Sequence, residues 1–185
     1  MAKALERLVA FTGQAGSGKT TAANFLVDLH RFNRVRFAGP LKNMMRTLGL
    51  SEREIDGDLK ELPCELLGGK APRWAMQSIG TEWGRNCIDV NLWIRAWQRQ
   101  VQDVGGKIVV DDCRYPNEAD IVRTHGGTVI HIIRPGHEGS SSGAGHSSEK
   151  FEFKPDLVLI NDGTRERFLD DVWLAVEQRQ FKLAV

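Results

Sequence analysis

A glycine-rich stretch that follows a short apolar run constrains this sequence more than any other feature. Residues 13–20 are GQAGSGKT and match the pattern G-x-x-x-x-G-K-[ST], directly after RLVAFT at 7–12, which is predicted to be a buried strand. Glycine lets the backbone turn so tightly that several N–H groups point at one anion, and a following helix directs the positive end of its dipole at the same place. The pattern therefore predicts a triphosphate-binding loop.

The residue types in this loop predict separate tasks. The lysine would reach the β- and γ-phosphates of ATP, and the first threonine would ligate Mg²⁺. An acid at the end of the buried run KIVVDD (107–112) would hold the metal as well, unless this is a solvated turn. The sequence leaves open whether Asp111 or Asp112 faces the metal, and we assign Thr20 and Asp112. The predicted ATP-binding residues are Gly13, Ala15, Gly16, Ser17, Gly18, Lys19, Thr20 and Thr21.

Continuous apolar runs alternate with helical patterns along the chain, which is typical of a parallel sheet covered on both faces. The predicted strands are 7–12, 35–38, 107–112, 127–133 and 156–162. The predicted helices are 20–30, 41–48, two within 73–102 that break near 89–91, 116–125, and 164–182 with Thr164 as N-cap. The segment 51–72 is predicted to be a mobile connection with one weak helix. The fold class is therefore α/β, with a mostly parallel central sheet.

Length and charge narrow the class of protein. The 185 residues suit a single domain, 1–185, and the net charge of +1 gives no reason to expect nucleic acid as a partner. Apolar runs are far shorter than the roughly 20 residues that span a bilayer, so no membrane is expected. Glu6 and Arg7 argue against a signal peptide, and three cysteines without CxxC spacing favour a cytoplasmic location.

A triphosphate-binding loop does not by itself separate a switch, a motor and a kinase. The sequence has no N-K-x-D, which weakens the GTPase interpretation. Instead, several cations stand near predicted strand ends or turns, where they could hold phosphate or simply be solvated. Arginine suits the first task because its planar fork binds phosphate at two points. These cations are Lys42, Arg73, Arg85, Arg114 and Arg134.

The sequence resembles the bacteriophage deoxynucleoside monophosphate kinases, within the nucleoside monophosphate kinases of P-loop fold. The resemblance is carried by an ordered set of segments that follow the loop. They are AGPLK at 38–42, MQSIGT at 76–81 with Trp93 after it, DCR at 112–114 with Glu118, TVIHIIRPG at 128–136, and LINDG at 159–163. The resemblance implies a P-loop NTPase fold with a small helical monophosphate-binding region at about 51–103 and a lid-like loop at 136–149.

The resemblance also implies an activity: ATP and a deoxynucleoside monophosphate (dNMP) would give ADP and the diphosphate, with Mg²⁺ and without a covalent enzyme intermediate. The implied catalytic residues are Lys19, Arg73, Arg114 and Asp112. The implied dNMP-binding residues are Lys42, Arg73, Gly80, Thr81, Arg85, Trp93, Asp112, Arg114 and Glu118. The partners would be these small molecules, with a homodimer as an option and the host-cell cytoplasm as the location.

Alternatives stay open at several of these positions. Trp93 could be a core tryptophan, Glu118 could merely pair with Arg114, and 161–163 could be a plain turn rather than an adenine contact. Residues 14–17 are less basic than the family's usual K-R-S, so a further cation would come from Arg134 or the 136–149 loop. The acceptor could instead be another small phosphorylated molecule, as in phosphomevalonate or dephospho-coenzyme A kinases. A non-catalytic nucleotide-binding module is the second class.

Overall fold

The structure, a computed structural model, describes residues 3–136 and 153–177. The chain divides into two compact units, which we call the first unit (Met1–Arg36 with Val101–Val185) and the second unit (Phe37–Gln100). Most of the predicted lid-like loop and residues 178–182 of the predicted last helix lie outside the described residues. None of the helices in the described ranges is long and apolar enough to cross a bilayer.

The first unit is built on a parallel sheet, which confirms the predicted fold class. In the described residues the sheet has five strands in the order β2-β3-β1-β4-β5, and every pairing is parallel. The strands are β1 (Leu5–Thr12), β2 (Asn33–Arg34), β3 (Gly106–Val110), β4 (Thr128–Ile133) and β5 (Leu157–Ile160). The helices of the whole described chain are α1 (Lys19–His30), α2 (Gly39–Thr47), α3 (Glu52–Ile55), α4 (Pro72–Gln77), α5 (Leu92–Val104), α6 (Pro116–Thr124) and α7 (Arg165–Glu177).

Helices cover both faces of this sheet because alternate strand residues are apolar on each side. Val9 and Phe11 of β1 belong to a core cluster with Leu26 of α1 and Val172 of α7. Leu8 points the other way along the strand, toward α6. A Cβ built on Gly127 would lie 2.7 Å from both Leu8 and Val122 of α6, so that glycine permits the close approach of helix and strand.

The second unit has its own core. Leu41 and Met45 of α2, Ile55 of α3, Met76 of α4 and Trp93 of α5 belong to one buried cluster. Between α4 and α5 the chain forms a π-helix, Ser78–Ile88, which is unusually long for a conformation that normally appears as single-turn bulges. The predicted break is confirmed: Asp89 is extended, and its carboxylate accepts the Asn91 N–H at 2.7 Å.

The predicted second strand, 35–38, was wrong by position. Only Asn33 and Arg34 pair with β3, and Val35 adds one N–H bond to the Val109 carbonyl at 3.0 Å. Val35 and Phe37 are both buried, although neither is part of the β2–β3 strand pairing. An apolar run reports burial, and burial does not require strand pairing.

The predicted connection 51–72 contains more regular structure than expected. It holds α3 and a 3₁₀ turn, Glu65–Leu67. Ser51 and Glu54 form a capping box, in which the Glu54 carboxylate accepts the Ser51 N–H at 2.7 Å. The predicted N-cap of the last helix is confirmed, since the Thr164 hydroxyl accepts the Arg167 N–H at 3.3 Å.

Candidate functional site

The polar residues of the first unit gather at the carboxyl edge of its sheet. β1 ends at the glycine-rich loop, β3 ends just before Asp111, β4 ends before Arg134, and β5 ends before Asn161. Because all the strands are parallel, these chain segments leave the sheet at the same edge. Open parallel sheets bind their ligands at this edge, where successive connections diverge to opposite faces.

The loop adopts a backbone that requires glycine at positions 13 and 18. Gly13 and Gly18 have φ angles of 138° and 114°. A Cβ on Gly13 would lie 2.3 Å from the Ile132 carbonyl oxygen, and one on Gly18 would lie 2.7 Å from the Asn161 amide nitrogen. Asn161 also donates to the Ser17 carbonyl at 2.9 Å, so the end of β5 braces the loop.

The Lys19 side chain folds back over the loop, where its ammonium group contacts the first two loop residues. Its Nζ donates to the carbonyls of Gly13 at 2.7 Å and Gln14 at 2.6 Å. The pKa of Lys19 is lowered to about 8, mainly by burial and also by the charge of Arg114, while the charge of Asp111 acts in the opposite direction. A phosphate beside Nζ would stabilise the charged form that burial disfavours, so the site favours binding of an anion.

A cavity of about 530 Å³ opens beside the loop. Its wall combines loop residues with Arg134, Asn161 and the first turns of α7, where Arg165 and Phe168 contribute. This volume lies within the range typical of small-molecule sites. Sequence reasoning did not name Arg165 or Phe168; the only signal was their position just after the last strand. The structure thus places Asn161 at a cavity wall, whereas the sequence left a plain turn open.

The two aspartates after β3 differ in their surroundings. Asp111 is buried, and its two carboxylate oxygens accept from Arg36 Nε at 2.7 Å and Nη2 at 2.9 Å. Arg34 Nε lies 3.7 Å from the same carboxylate. Asp112 is only half-buried. Sequence reasoning missed both arginines, because nothing in NRVR marks them as partners of a residue 75 positions away.

Glu118 shapes the turn that carries Arg114. It is 3% exposed, and its Oε2 accepts the N–H of Arg114 at 2.8 Å and the N–H of Tyr115 at 3.2 Å. These bonds satisfy backbone donors at the start of α6, where no helical acceptor is available. The carboxylate therefore acts on the backbone before α6, and its predicted contact with a dNMP stays a prediction.

In the second unit, Trp93 is a core residue. It is 6% exposed, and its Nε1 donates to the Gly80 carbonyl at 2.8 Å. A Cβ built on Gly84 would lie only 2.7 Å from the indole ring, so that glycine lets the ring pack against the backbone. The indole thus packs against the π-helix that carries Gly80, Thr81 and Arg85. Its burial agrees with the core alternative that the sequence left open, and its predicted contact with a dNMP stays a prediction.

The predicted cations of the second unit have partners within that unit. Lys42 Nζ lies 2.5 Å from Asp56 Oδ1, and Arg73 Nη1 lies 2.7 Å from Glu61 Oε1. Arg85 Nη1 donates to a backbone carbonyl at 3.2 Å. The carboxylates of both ion pairs are at least one-third exposed, and ion pairs that solvent reaches contribute little to stability.

Comparison with known proteins supplies the family. A sequence model described as deoxynucleotide monophosphate kinase matches residues 69–172. A protein of Acanthamoeba polyphaga mimivirus, provisionally named deoxynucleotide monophosphate kinase, is 32% identical over 185 residues, covering 92% of this chain and 96% of that protein. The chain belongs to the deoxynucleotide monophosphate kinase family. The predicted resemblance is therefore confirmed, and with it the predicted enzyme class, an ATP-dependent phosphotransferase.

A further relative carries the same family name, and a solved kinase structure has a similar fold. The deoxynucleotide monophosphate kinase of Enterobacteria phage T4 is 21% identical over 235 residues, covering 90% of this chain and 97% of the phage protein. Among solved structures, the shikimate kinase of Aquifex aeolicus has a TM-score of 0.53 at 12% identity, and it covers 94% of this chain and 98% of its own. At that identity the likeness shows the fold alone.

The loop of this family member fits a triphosphate. Ser17 Oγ is buried, and in the described ranges it has no hydrogen-bond partner, so the loop holds a polar atom ready for a ligand. The glycine backbone and Lys19 complete an anion cradle. For Mg²⁺ the described residues offer no cluster of three or more His, Cys, Asp or Glu.

Proposed function

We propose that this chain transfers the γ-phosphoryl group of ATP to a deoxynucleoside monophosphate, giving ADP and the deoxynucleoside diphosphate. The observation that carries the proposal is the glycine-rich loop with its half-buried Lys19, at the carboxyl edge of a parallel sheet, in a chain of the deoxynucleotide monophosphate kinase family. ATP is the donor that this loop accommodates.

The donor would be held entirely by the first unit. The loop N–H groups and Lys19 would bind the β- and γ-phosphates, and the cavity beside Asn161 and Phe168 would take the adenosine part. Thr20 and Asp112 would hold Mg²⁺, which when bound neutralises charge that develops on the phosphates. We favour Asp112 for this task because both oxygens of Asp111 already accept from Arg36.

Several residues are proposed for the acceptor, each by its chemistry. Arg114 would hold phosphate oxygens, in a turn that Glu118 fixes through the backbone. Lys42 and Arg73 would exchange a carboxylate partner for the acceptor phosphate. The remaining proposed acceptor residues are Gly80, Thr81 and Arg85 on the π-helix, which Trp93 supports.

The transfer itself needs no protein nucleophile. An acceptor phosphate oxygen forms the new bond to the γ-phosphorus, and the bond from that phosphorus to the bridging oxygen breaks, so the electron pair leaves with ADP. The acceptor oxygen is already anionic near neutral pH, so no strong general base is required. The work of the protein is positioning and charge neutralisation.

The test measures ADP release with ATP, Mg²⁺ and each deoxynucleoside monophosphate separately, with ribonucleoside monophosphates as controls. We expect turnover that depends on a deoxynucleotide and falls at least about 100-fold in Lys19→Ala and in Arg73→Ala, because each removes a phosphate-binding cation. Arg53→Ala is the matched control, since Arg53 is an exposed arginine of the second unit paired with Asp58. ATP binding without turnover on any nucleotide would overturn the proposal.

A further inference from the structure

The cavity beside the P-loop has a positively charged wall. Besides Lys19, the wall includes Arg134 and Arg165, and none of the described residues that line the cavity is acidic. Both arginines are exposed, and within the described ranges neither forms an ion pair with a carboxylate. The glycine-rich loop explains the presence of Lys19, whereas no motif of the sequence accounts for Arg165.

The geometry of α7 places Arg165 next to the loop. Phe168 of this helix packs against the loop, since a Cβ built on Gly18 would lie 3.2 Å from its ring. Arg165 precedes Phe168 by three residues and therefore lies on the same face of the helix, one turn nearer to the N-terminus. Side chains of a helix lean toward its N-terminus, so Arg165 leans past the start of α7 on this face. Both residues accordingly line the same cavity.

Arg165 occupies the unfavourable end of its helix for a cation. It is the first residue of α7, where the helix dipole places partial positive charge, so its own charge lowers the stability of the helix. Two acids are close in the sequence. Asp162 is exposed and does not line the cavity. The Glu166 carboxylate accepts from its own backbone N–H and from Thr164, and these hydrogen bonds lower its pKa more than the charge of Arg165 does.

A bound polyanion would turn this unfavourable charge into a favourable one. The loop and Lys19 would bind the β- and γ-phosphates of ATP, in a cavity that Arg165 also lines. A guanidinium binds phosphate at two points, and the positive end of α7 acts on the same anion. A residue that costs stability in the free protein and gains binding energy in the complex is typical of a functional site.

We propose that Arg165 is a donor-binding residue, which contacts the phosphate chain of ATP together with Lys19. This inference rests on the proposed function and adds to it a residue outside the segments that carry the family resemblance. No bond forms or breaks at Arg165, so its effect belongs to the binding of the donor and not to the transfer step.

The test is calorimetric binding of ATP and of inorganic tripolyphosphate, each with Mg²⁺. We expect Arg165→Ala to weaken the binding of both ligands about 10-fold or more, because a charge-assisted hydrogen bond to phosphate is lost. Arg165→Lys keeps the charge without the planar fork and should weaken both about threefold. Arg167→Ala is the matched control, since Arg167 is an exposed arginine in the same helical turn that does not line the cavity, and it should bind both ligands as the wild type does.

Thermal unfolding of the nucleotide-free proteins separates this role from a structural one. Arg165→Ala removes an unfavourable charge from the first turn and introduces a better helix former, so it should unfold at or above the wild-type temperature. In steady-state kinetics, the KM of ATP should rise by the same factor as its Kd. The kcat and the KM of the monophosphate should stay within about twofold of the wild-type values.

Unchanged affinity of Arg165→Ala for both ligands would overturn the proposal. A loss confined to ATP would also overturn it, because Arg165 would then contact the nucleoside and not the phosphate chain. An equal loss in Arg167→Ala, or a lower unfolding temperature of nucleotide-free Arg165→Ala, would overturn it in favour of a general charge effect or a structural role. Failure of the proposed function is distinguishable, because the wild type would then bind ATP through Arg165 and show no turnover with any deoxynucleotide. A wild type that binds neither ligand would overturn both.

Discussion

At the scale of single residues, two features of the P-loop decide what it can do. Lys19 is a half-buried cation whose pKa is lowered to about 8, so it loses its charge only slightly above neutral pH. Gly13 and Gly18 have backbone angles that residues with a side chain disfavour, and neighbouring atoms leave no space for a Cβ at either position. The partial burial of Lys19 raises the free energy of the ligand-free loop, and a bound triphosphate would relieve it. The two glycines let the loop adopt its backbone without such a cost.

The lowered pKa predicts that ATP affinity falls at alkaline pH. Lys19 is charged well below pH 8, about half charged at pH 8 and about one-tenth charged at pH 9, so affinity should approach a tenfold loss per pH unit above 8. Calorimetric titration of ATP between pH 6.5 and 9.5, with buffers of different ionisation enthalpy, should also detect proton uptake near pH 8. Lys19→Arg stays charged throughout and should lose this slope.

Unfolding does not explain such a loss. Because the unfolded chain binds the Lys19 proton more tightly than the folded chain, this group makes stability rise between pH 8 and about 10.5. A parallel fall of thermal stability over the same window would contradict the assignment, as would a pH-independent ATP affinity in the wild type.

Gly13→Ala is predicted to be far more damaging than a glycine-to-alanine change elsewhere. Gly126 also has a positive φ, 74°, but nothing lies within 4 Å of a Cβ placed there. Gly126→Ala should therefore cost only the backbone strain, about 1–2 kcal/mol. Gly13→Ala adds a 2.3 Å contact with the Ile132 carbonyl and should cost more and abolish ATP binding. Denaturant unfolding and ATP titration of both variants test this, and equal stability losses would contradict it.

At the scale of elements, short turns and one unusual helix position the predicted site. The turn before α6 carries Arg114 and is held by the buried Glu118 carboxylate. The π-helix Ser78–Ile88 carries Gly80, Thr81 and Arg85 and is backed by Trp93. Glu118 and Trp93, both predicted to contact the substrate, hydrogen-bond to the backbone of these segments. Replacing either residue should therefore lower the free energy of unfolding as well as the activity.

Glu118 is predicted to act through the turn that it caps. Glu118→Ala leaves two part-buried N–H groups without their acceptor and should cost about 1–3 kcal/mol, whereas Glu118→Gln retains one acceptor oxygen and should cost less. Activity should fall in the same order through misplacement of Arg114. Asp120→Ala, an exposed acid of the same helix, is the control. A Glu118→Gln variant with unchanged stability and a raised KM for the monophosphate would show direct substrate contact instead.

Trp93→Phe is predicted to lower stability by about 1–3 kcal/mol, because the Gly80 carbonyl loses its indole donor inside a packed core. Trp74→Phe is the matched control, since Trp74 is 51% exposed, and it should change stability by no more than about 0.5 kcal/mol. Guanidinium unfolding measures both. Equal effects would contradict the core assignment, and a lost monophosphate affinity at unchanged stability would restore the base-stacking alternative.

At the scale of the whole molecule, the chain contains two compact units with separate cores. The residues proposed for ATP belong to the first unit. The predictions of a single domain, a homodimer, a cytoplasmic location and no nucleic-acid partner stay predictions. The kinase family, by contrast, is established by relatives that span nearly the whole chain.

ATP is predicted to stabilise the folded chain by mass action. At a free concentration of about 100 times Kd, one bound nucleotide should raise the free energy of unfolding by about 2.7 kcal/mol. Thermal unfolding over a series of ATP concentrations should follow the logarithmic dependence in the wild type and show no shift in Lys19→Ala. An equal shift in both proteins would place nucleotide binding outside the P-loop.

The sequence by itself determined the features that arise between near neighbours in the chain. The P-loop is a strand, a turn and a helix within about two dozen residues, so its glycines, lysine and threonine were predicted in full from local pattern. Alternating apolar runs and helical patterns likewise predicted the parallel sheet and its helices, although the apolar run at 35–38 reported burial rather than pairing.

Only the tertiary structure decided which distant residues share an environment. Arg36 and Asp111 are 75 positions apart and meet because β2 and β3 are neighbours in the sheet, which no local pattern encodes. The burial and hydrogen-bond partners of Trp93 and Glu118 were likewise decided by the packing of whole elements, and their predicted contacts with a dNMP stay predictions. The residue type determines which interactions a side chain can make, and the tertiary structure determines which groups are close enough to make them.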